Sequence, residues 1–424
     1  MFKLNKTIRI NKNNEIGSSL LYFWLLLFLI LTAVRFVLAK FGIESGIFRE
    51  IILWIASSIP ILLFIFNIEK FEPKKYSWFF IMLFIIIFIM IISLLLNPDL
   101  YEFYMRKSYG LDRILRPDSA IFAALFFSIT DDDENIIDIL TKISIIFFMY
   151  LILVDFLPML KRGYWVDIGP DGNRLKLDYN LSFGYNLTFP CIIFIYNFIF
   201  NKKKLFIIPA IFSAIMILIY GNRGALLVIF VYLFLITLKS LDDVKLIKKI
   251  FIVIIFILLF LIFKIYYENI MLFLLKKANE LNLESRSIRM MLNGKFSQDN
   301  GRDVIWEAVI EAIKANPIFG YGILGDRPFV APIHYVGYTH NLFLENIISF
   351  GVIGHIINIA LLLVSLKMIF KCSDKKTSDL FIILFSISCQ LLISMSFWYV
   401  WQFWAAIGIY VKYKKRNRNI LIVE

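Results

Sequence analysis

Histidine is scarce in this chain, with three in 424 residues, and one of them, His340, stands beside Asn341 at the start of a long apolar run. An imidazole placed there can accept or donate a proton near neutral pH, and a helix start favours an anion close by. His334 reads as an incidental loop residue and His355 as one packed inside an apolar helix. A second group is cationic. Arg223 lies in Gly221-Asn222-Arg223-Gly224, a very short turn between two apolar runs, and Arg302 follows Gly301 and precedes Trp306 by four positions. Arg286 and Arg289 share one face of a helical stretch predicted at about 272–292. A guanidinium offers a planar fork of donors to phosphate or carboxylate, so these residues suit an anionic ligand. Arg223 can equally snorkel to the interface and anchor its hairpin. Asn341, and Glu345 one turn beyond His340, are candidates to support the histidine. No further His or Cys follows at ligand spacing, so no metal is expected. Cys191, Cys372 and Cys389 are scattered and suggest neither a disulfide nor a metal site.

The elements that must position these residues are membrane spans. The chain is 60% hydrophobic and 18% charged, with 44 phenylalanines and a mean hydropathy of +0.77, far from the composition of soluble domains. That excludes a soluble globular enzyme, a disordered chain and a disulfide scaffold, and defines an all-α polytopic integral membrane protein. Apolar stretches near 20 residues predict about twelve helices, at about 20–39, 47–67, 77–96, 118–130, 136–158, 181–200, 205–220, 224–238, 250–271, 339–366, 380–396 and 398–412. With alternating spans, lysine clusters such as Lys202–Lys204, Lys245–Lys249 and Lys412–Lys415 fall on one side, which the positive-inside rule makes cytoplasmic, together with both termini. No cleavable signal peptide is expected. Three sizeable loops face outward, near 97–117, 159–180 and 272–338, and the whole of 1–424 reads as one membrane domain. The large loop, 272–338, carries an amphipathic helix over Arg302–Lys314, with Ile305, Trp306, Val309, Ile310 and Ile313 on its apolar face, suited to lying on the outer membrane surface. Asn316-Pro317 ends it, and the three glycines of Phe319–Gly325 read as a flexible turn.

The net charge of +13 divides unevenly between the two sides. On the inner side the only arginines are Arg9, Arg416 and Arg418; on the outer side are Arg106, Arg113, Arg116, Arg162, Arg174, Arg223, Arg286, Arg289, Arg302 and Arg327. Lysine suffices to orient a membrane protein, whereas arginine is favoured where an anion is gripped. The surplus therefore points to an anionic ligand at the outer face.

These pieces occur in one order. The hairpin Gly221-Asn222-Arg223-Gly224-Ala225-Leu226-Leu227 precedes G-R-x-x-x-W at Gly301–Trp306, then N-P-I-F-G-Y-G at Asn316–Gly322, then His340-Asn341 with Gly351 and Gly354 beyond. In this series, over roughly 220–355, the sequence resembles the O-antigen polymerase and O-antigen ligase superfamily (Wzy and WaaL types), departing from its S-R-G turn by Asn222. The resemblance implies a C-type glycosyltransferase in the cytoplasmic membrane, its active site facing outside, acting on an undecaprenyl-pyrophosphate-linked oligosaccharide without nucleotide sugar, metal or other cofactor. It further implies Arg223 and Arg302 as pyrophosphate ligands, Arg286 and Arg289 as weaker ones, and His340 as general base or orienting donor, with Asn341 and Glu345 behind it. A polymerase joining repeat units is preferred to a ligase that passes glycan to lipid A-core. A chain-length regulator is a further candidate partner, besides the lipid bilayer; no nucleic acid is expected. A flippase for lipid-linked sugars is the alternative from another class. It would distribute charges through the spans, where charges such as Arg35, Asp138, Lys142, Asp155 and Lys264 are few.

Overall fold

The computed structural model describes residues 2–43, 46–106, 109–168, 174–177, 180–220, 223–239, 246–280, 288–289, 292, 301–334 and 337–421. Among these, six helices are long and apolar enough to cross a membrane: Glu15–Lys40, Ile47–Phe66, Pro73–Leu96, Asp133–Arg162, Ser182–Ile199 and Val352–Phe370. Two shorter apolar helices, Lys204–Tyr220 and Gly224–Lys239, join them. The outward apolar side chains of these helices, such as Phe66, Phe84 and Leu363, have no protein to bury them, as lipid-facing residues require. The chain divides into two compact units, 1–143 with 301–424, and 144–300.

In the first unit, the helix Ala123–Ile129 is buried at every position and too short to cross a bilayer alone. It packs against the helix Trp401–Leu421. Contact is close enough that a Cβ on Gly408 would lie 2.5 Å from the Ala124 carbonyl oxygen, the small-residue packing by which helices associate in lipid. At one end of this pair, Asp133 accepts from Lys412 Nζ, from Thr377 Oγ1 and, at 2.7 Å, from Arg416 Nη2. Lys75 pairs with Asp131 at 2.6 Å and Lys376 with Glu134 at 3.2 Å. The acidic run 131–134 thus neutralises part of the lysine-rich side.

Two expectations change here. The stretch 339–366 is not one helix: Leu342–Phe350 ends at Gly351, and Val352–Phe370 begins anew. Gly351 has φ 55°, and a Cβ there would lie 2.2 Å from the Ile318 carbonyl oxygen, so the chain crosses where a continuous helix would stand. The amphipathic helix, Arg302–Ala315, turns its apolar face to protein rather than to lipid. Ile305, Val309 and Ala312 are buried against Val330 and Ile348, with Phe329 and Leu344 beside them, while Ile310 is left outside.

Among its described residues, the second unit is helical apart from turns and an antiparallel ribbon, Trp165–Ile168 with Arg174–Leu177, which the all-α reading did not include. Trp165 seats the ribbon: its ring lies 4.9 Å from Phe183 and 5.2 Å from Tyr220. Gly224 lies in contact with Tyr185, whose hydroxyl would be 2.6 Å from a Cβ at that position. The glycine therefore admits a tyrosine.

Candidate active site

Three of the motifs that are separate in sequence, those of 301–306, 316–322 and 340–354, interlock in the first unit. Asn316-Pro317 ends the helix Arg302–Ala315, and the following strand of chain runs along the end of Leu342–Phe350. Tyr321 N donates to the Ile348 carbonyl and Gly322 N to the Ser349 carbonyl, each at 2.8 Å. These carbonyls belong to the last turn of a helix, which has no partners of its own for them. Gly320 and Gly322 take φ 67° and 84°, and a Cβ on Gly322 would fall 2.0 Å from Ser93 Oγ. Ser93 Oγ accepts from Ile323 N at 3.2 Å, and Tyr104 OH donates to the Ile323 carbonyl at 2.9 Å. The glycines read as flexible are therefore points of close approach between held backbones.

His340 sits on this frame. Its own backbone is left-handed, φ 57°, which non-glycine residues rarely adopt. Before it, Thr339 N and Oγ1 donate to Asp326 Oδ2 at 2.9 and 2.7 Å, and Trp306 Nε1 donates to the Thr339 carbonyl at 3.0 Å. After it, Asn341 caps Leu342–Phe350 by accepting from Phe343 N and Leu344 N at 3.0 and 3.1 Å, and donates to the Leu392 carbonyl at 3.1 Å. The imidazole is buried beside Tyr338, with centroids 4.3 Å apart, and meets His334 edge-on at 5.4 Å. Its Nδ1 has no hydrogen-bond partner. Burial, then the charges of Arg302, His334 and Arg327, holds the imidazole down to about 3, so it is neutral in the physiological range.

Beneath it lies an ionic group whose linkage, and whose Asp326, the sequence did not reveal. Arg327 is 2% exposed, with Nη1 donating to both Asp326 oxygens at 2.8 and 2.7 Å. Its Nη2 lies 3.4 Å from Tyr399 OH and 3.7 Å from Glu345 Oε1, and its guanidinium covers the Tyr338 ring at 5.4 Å. Burial alone would lower Arg327, but the Asp326 carboxylate outweighs it and keeps the guanidinium charged. Glu345 accepts from Ser396 Oγ at 2.5 Å. Burial, reinforced by Asp326, pushes the Glu345 carboxyl well above the usual carboxylate range despite Arg327. One guanidinium between two buried acids leaves one acid to hold its proton.

Of the residues singled out from sequence, His340, Arg302, Asn341 and Glu345 come together in this unit. Arg302, half-buried at the start of its helix, is close enough for its charge to act on both His334 and His340. Asn341 is engaged as a cap, so its side chain fixes the local backbone rather than standing open to a ligand. Glu345 is held by Ser396 and Arg327. Arg223 opens the helix Arg223–Lys239 of the other unit, and Arg289 is exposed there; Gly221, Asn222 and Arg286 lie outside the described residues. Asp326, Arg327 and Thr339 carried no motif. The only sequence signal was an acid adjacent to an arginine in an otherwise apolar stretch. Among the described residues, no three His, Cys, Asp or Glu side chains converge as metal ligands.

The spans and the helical build define a multi-pass membrane protein. Residues 208–359 match the Wzy_C family, described as O-antigen ligase. This segment, about a third of the chain, holds every motif that carried the resemblance, and through it the chain is similar to the O-antigen ligase family. No curated protein and no solved structure matches the chain.

Proposed function

We propose that the protein is a polysaccharide repeat-unit polymerase of the cytoplasmic membrane, with about twelve spans, both termini inside and its site facing out. The observation that carries this reading is the convergence, inside the segment matching the family, of G-R-x-x-x-W, N-P-I-F-G-Y-G and His340-Asn341 around one buried neutral imidazole near an arginine. The donor is an undecaprenyl-pyrophosphate-linked glycan, and the acceptor a sugar hydroxyl of a second lipid-linked repeat unit. The hydroxyl oxygen forms the new bond to the anomeric carbon as that carbon's bond to the pyrophosphate oxygen breaks. The pyrophosphate departs with the electron pair, and the hydroxyl proton passes to His340. Direct attack inverts the anomeric configuration.

Arg302 and Arg223 are the proposed ligands for the charge that develops on the leaving pyrophosphate, with Arg286 and Arg289 as weaker candidates. Burial holds His340 down most, and bound pyrophosphate offsets the smaller Arg302 contribution, so the base strengthens in part when substrate is present. Transfer to lipid A-core by the same chemistry is the ligase alternative, and a lipid A-core cluster around the gene, in place of a flippase and glycosyltransferases, would favour it. A flippase path is disfavoured because the span charges are few and two of them, Asp138 and Lys142, neutralise each other at 2.7 Å.

Arg223 gives a discriminating test. If it grips pyrophosphate by its fork, Arg223→Ala and Arg223→Lys both abolish long chains in a deletion strain while the protein stays in the membrane. Full chain length with Arg223→Lys, read on a polysaccharide gel, would identify a mere hairpin anchor.

A further inference from the structure

Thr339 is the most completely restrained residue around the site. Its N–H and hydroxyl both donate to one oxygen of Asp326, at 2.9 and 2.7 Å, and its carbonyl accepts from Trp306 Nε1 at 3.0 Å. All three of its polar groups are therefore engaged, and Thr339 has no measurable exposure. Asp326 is itself immobilised: its two oxygens accept from Arg327 Nη1 at 2.8 and 2.7 Å, and it too is fully buried. Arg327 in turn reaches Tyr399 OH at 3.4 Å, and Tyr399 OH donates to the Tyr109 carbonyl at 2.6 Å. On the other side of His340, the Asn341 amide is fixed to Phe343 N, Leu344 N and the Leu392 carbonyl.

His340 is thus the one residue between two pinned neighbours, and it is the one whose φ, 57°, is unfavourable for a side chain of its kind. A left-handed non-glycine residue of this sort persists only where its surroundings over-determine it. Its ring packs on Tyr338, but Nδ1 is buried and has no hydrogen-bond partner. Such an arrangement fixes where the ring stands while leaving a ring nitrogen uncommitted. A restraint needed only for folding would have no reason to end on a strained residue with an unused donor-acceptor atom.

We infer that Asp326, Thr339 and Trp306 form a positioning clamp that holds His340 in its left-handed conformation and so aims the imidazole at the acceptor hydroxyl. Asp326 is a positioning residue here; it touches Thr339, and Thr339 carries the effect to His340. The inference rests on His340 being the working base, and the test separates the two.

Thr339→Val keeps the shape and deletes the hydroxyl donor, whereas Thr339→Ser keeps the donor; Trp306→Phe deletes the indole donor and keeps a ring in the packing. The full-length protein in lipid nanodiscs is treated with diethylpyrocarbonate, and the rate of carbethoxylation at each histidine is read by peptide mass spectrometry. In the wild type His340 reacts slowly. Thr339→Val and Trp306→Phe raise its rate several-fold, Thr339→Ser leaves it unchanged, and His355 serves as the internal control. In a deletion strain Thr339→Val lowers polymer output on the order of ten- to a hundred-fold, as small misplacements of a catalytic group do, and Thr339→Ser restores it. Unchanged His340 reactivity in Thr339→Val, or full polymer output from it, overturns the clamp. Should His340→Ala itself make normal polymer, the base assignment falls, while the reactivity measurement still decides whether the clamp exists.

Discussion

His340→Ala is expected to leave the protein at normal abundance in the membrane and to reduce long-chain polysaccharide by a factor of order 10² to 10⁴, the usual contribution of a general base. Lipid-linked single repeat units should accumulate instead. Abundance is expected to hold because the polar contacts of this stretch run through Thr339 and Asn341 rather than through the imidazole, whose Nδ1 has no partner to lose. The substitution even keeps an awkward φ with a smaller side chain, so the thermal midpoint should change little. Normal chain lengths on a gel would remove His340 from the chemistry. The pH dependence provides a second readout. Because the free-enzyme imidazole is held down to about 3, kcat/KM should show no His340 inflection near 6.5, the position of an ordinary histidine. Any inflection in kcat should lie higher than that of kcat/KM, since bound pyrophosphate offsets the Arg302 charge.

Arg327→Met is expected to be strongly destabilising, by about 3–5 kcal/mol, because it strands the buried Asp326 carboxylate without its cation. The effect has a sign in pH. The Glu345 carboxyl is raised in the folded state, so the folded protein keeps a proton that the unfolded chain releases near the ordinary carboxylate value. Its contribution to stability is complete below that value and is lost as pH rises through the raised folded one. The thermal midpoint in detergent should therefore fall between about pH 5 and about pH 8, and in Arg327→Met, which removes the cation that lowers Glu345, the fall should move to higher pH. Glu345→Gln should flatten the dependence, because the amide resembles the protonated acid. A pH-independent midpoint in all three proteins would mean that Glu345 is ionised beside Arg327.

The spans could be read from hydropathy because the bilayer imposes one length and one polarity on each. Helices such as Ile47–Phe66 and Pro73–Leu96 follow directly from that constraint. The break at Gly351 could not be read this way. Residues on both sides of it are apolar, and the cause is a backbone, Ile318, that lies 33 positions upstream in the sequence. The motifs were visible as marks, but their linkage was not: Trp306 to Thr339, and Tyr321 to Ile348, are hydrogen bonds between side chain or backbone groups that carry no periodicity. Periodicity placed the amphipathic helix correctly, yet an apolar face says only that it is covered, and here Val330 and Ile348 cover it rather than lipid.

Arg116, counted among the outward surplus, is 6% exposed and bonded to Asp118 at 2.5 and 3.0 Å. Arg327 is locked to Asp326. These two are structural, which concentrates the expected anion contacts on the remaining outer arginines, Arg302 and Arg223 first among them. Composition showed an excess of guanidinium groups, and only the contacts divided it into holders of the fold and candidates for the ligand.

The central claim is tested most directly with purified full-length protein in nanodiscs, given undecaprenyl-pyrophosphate-linked repeat units as the sole substrate. Products of two and more repeats, appearing together with released undecaprenyl pyrophosphate and absent with His340→Ala, are the expected result. Repeat units that stay single, or that are transferred only when lipid A-core is supplied, would contradict it.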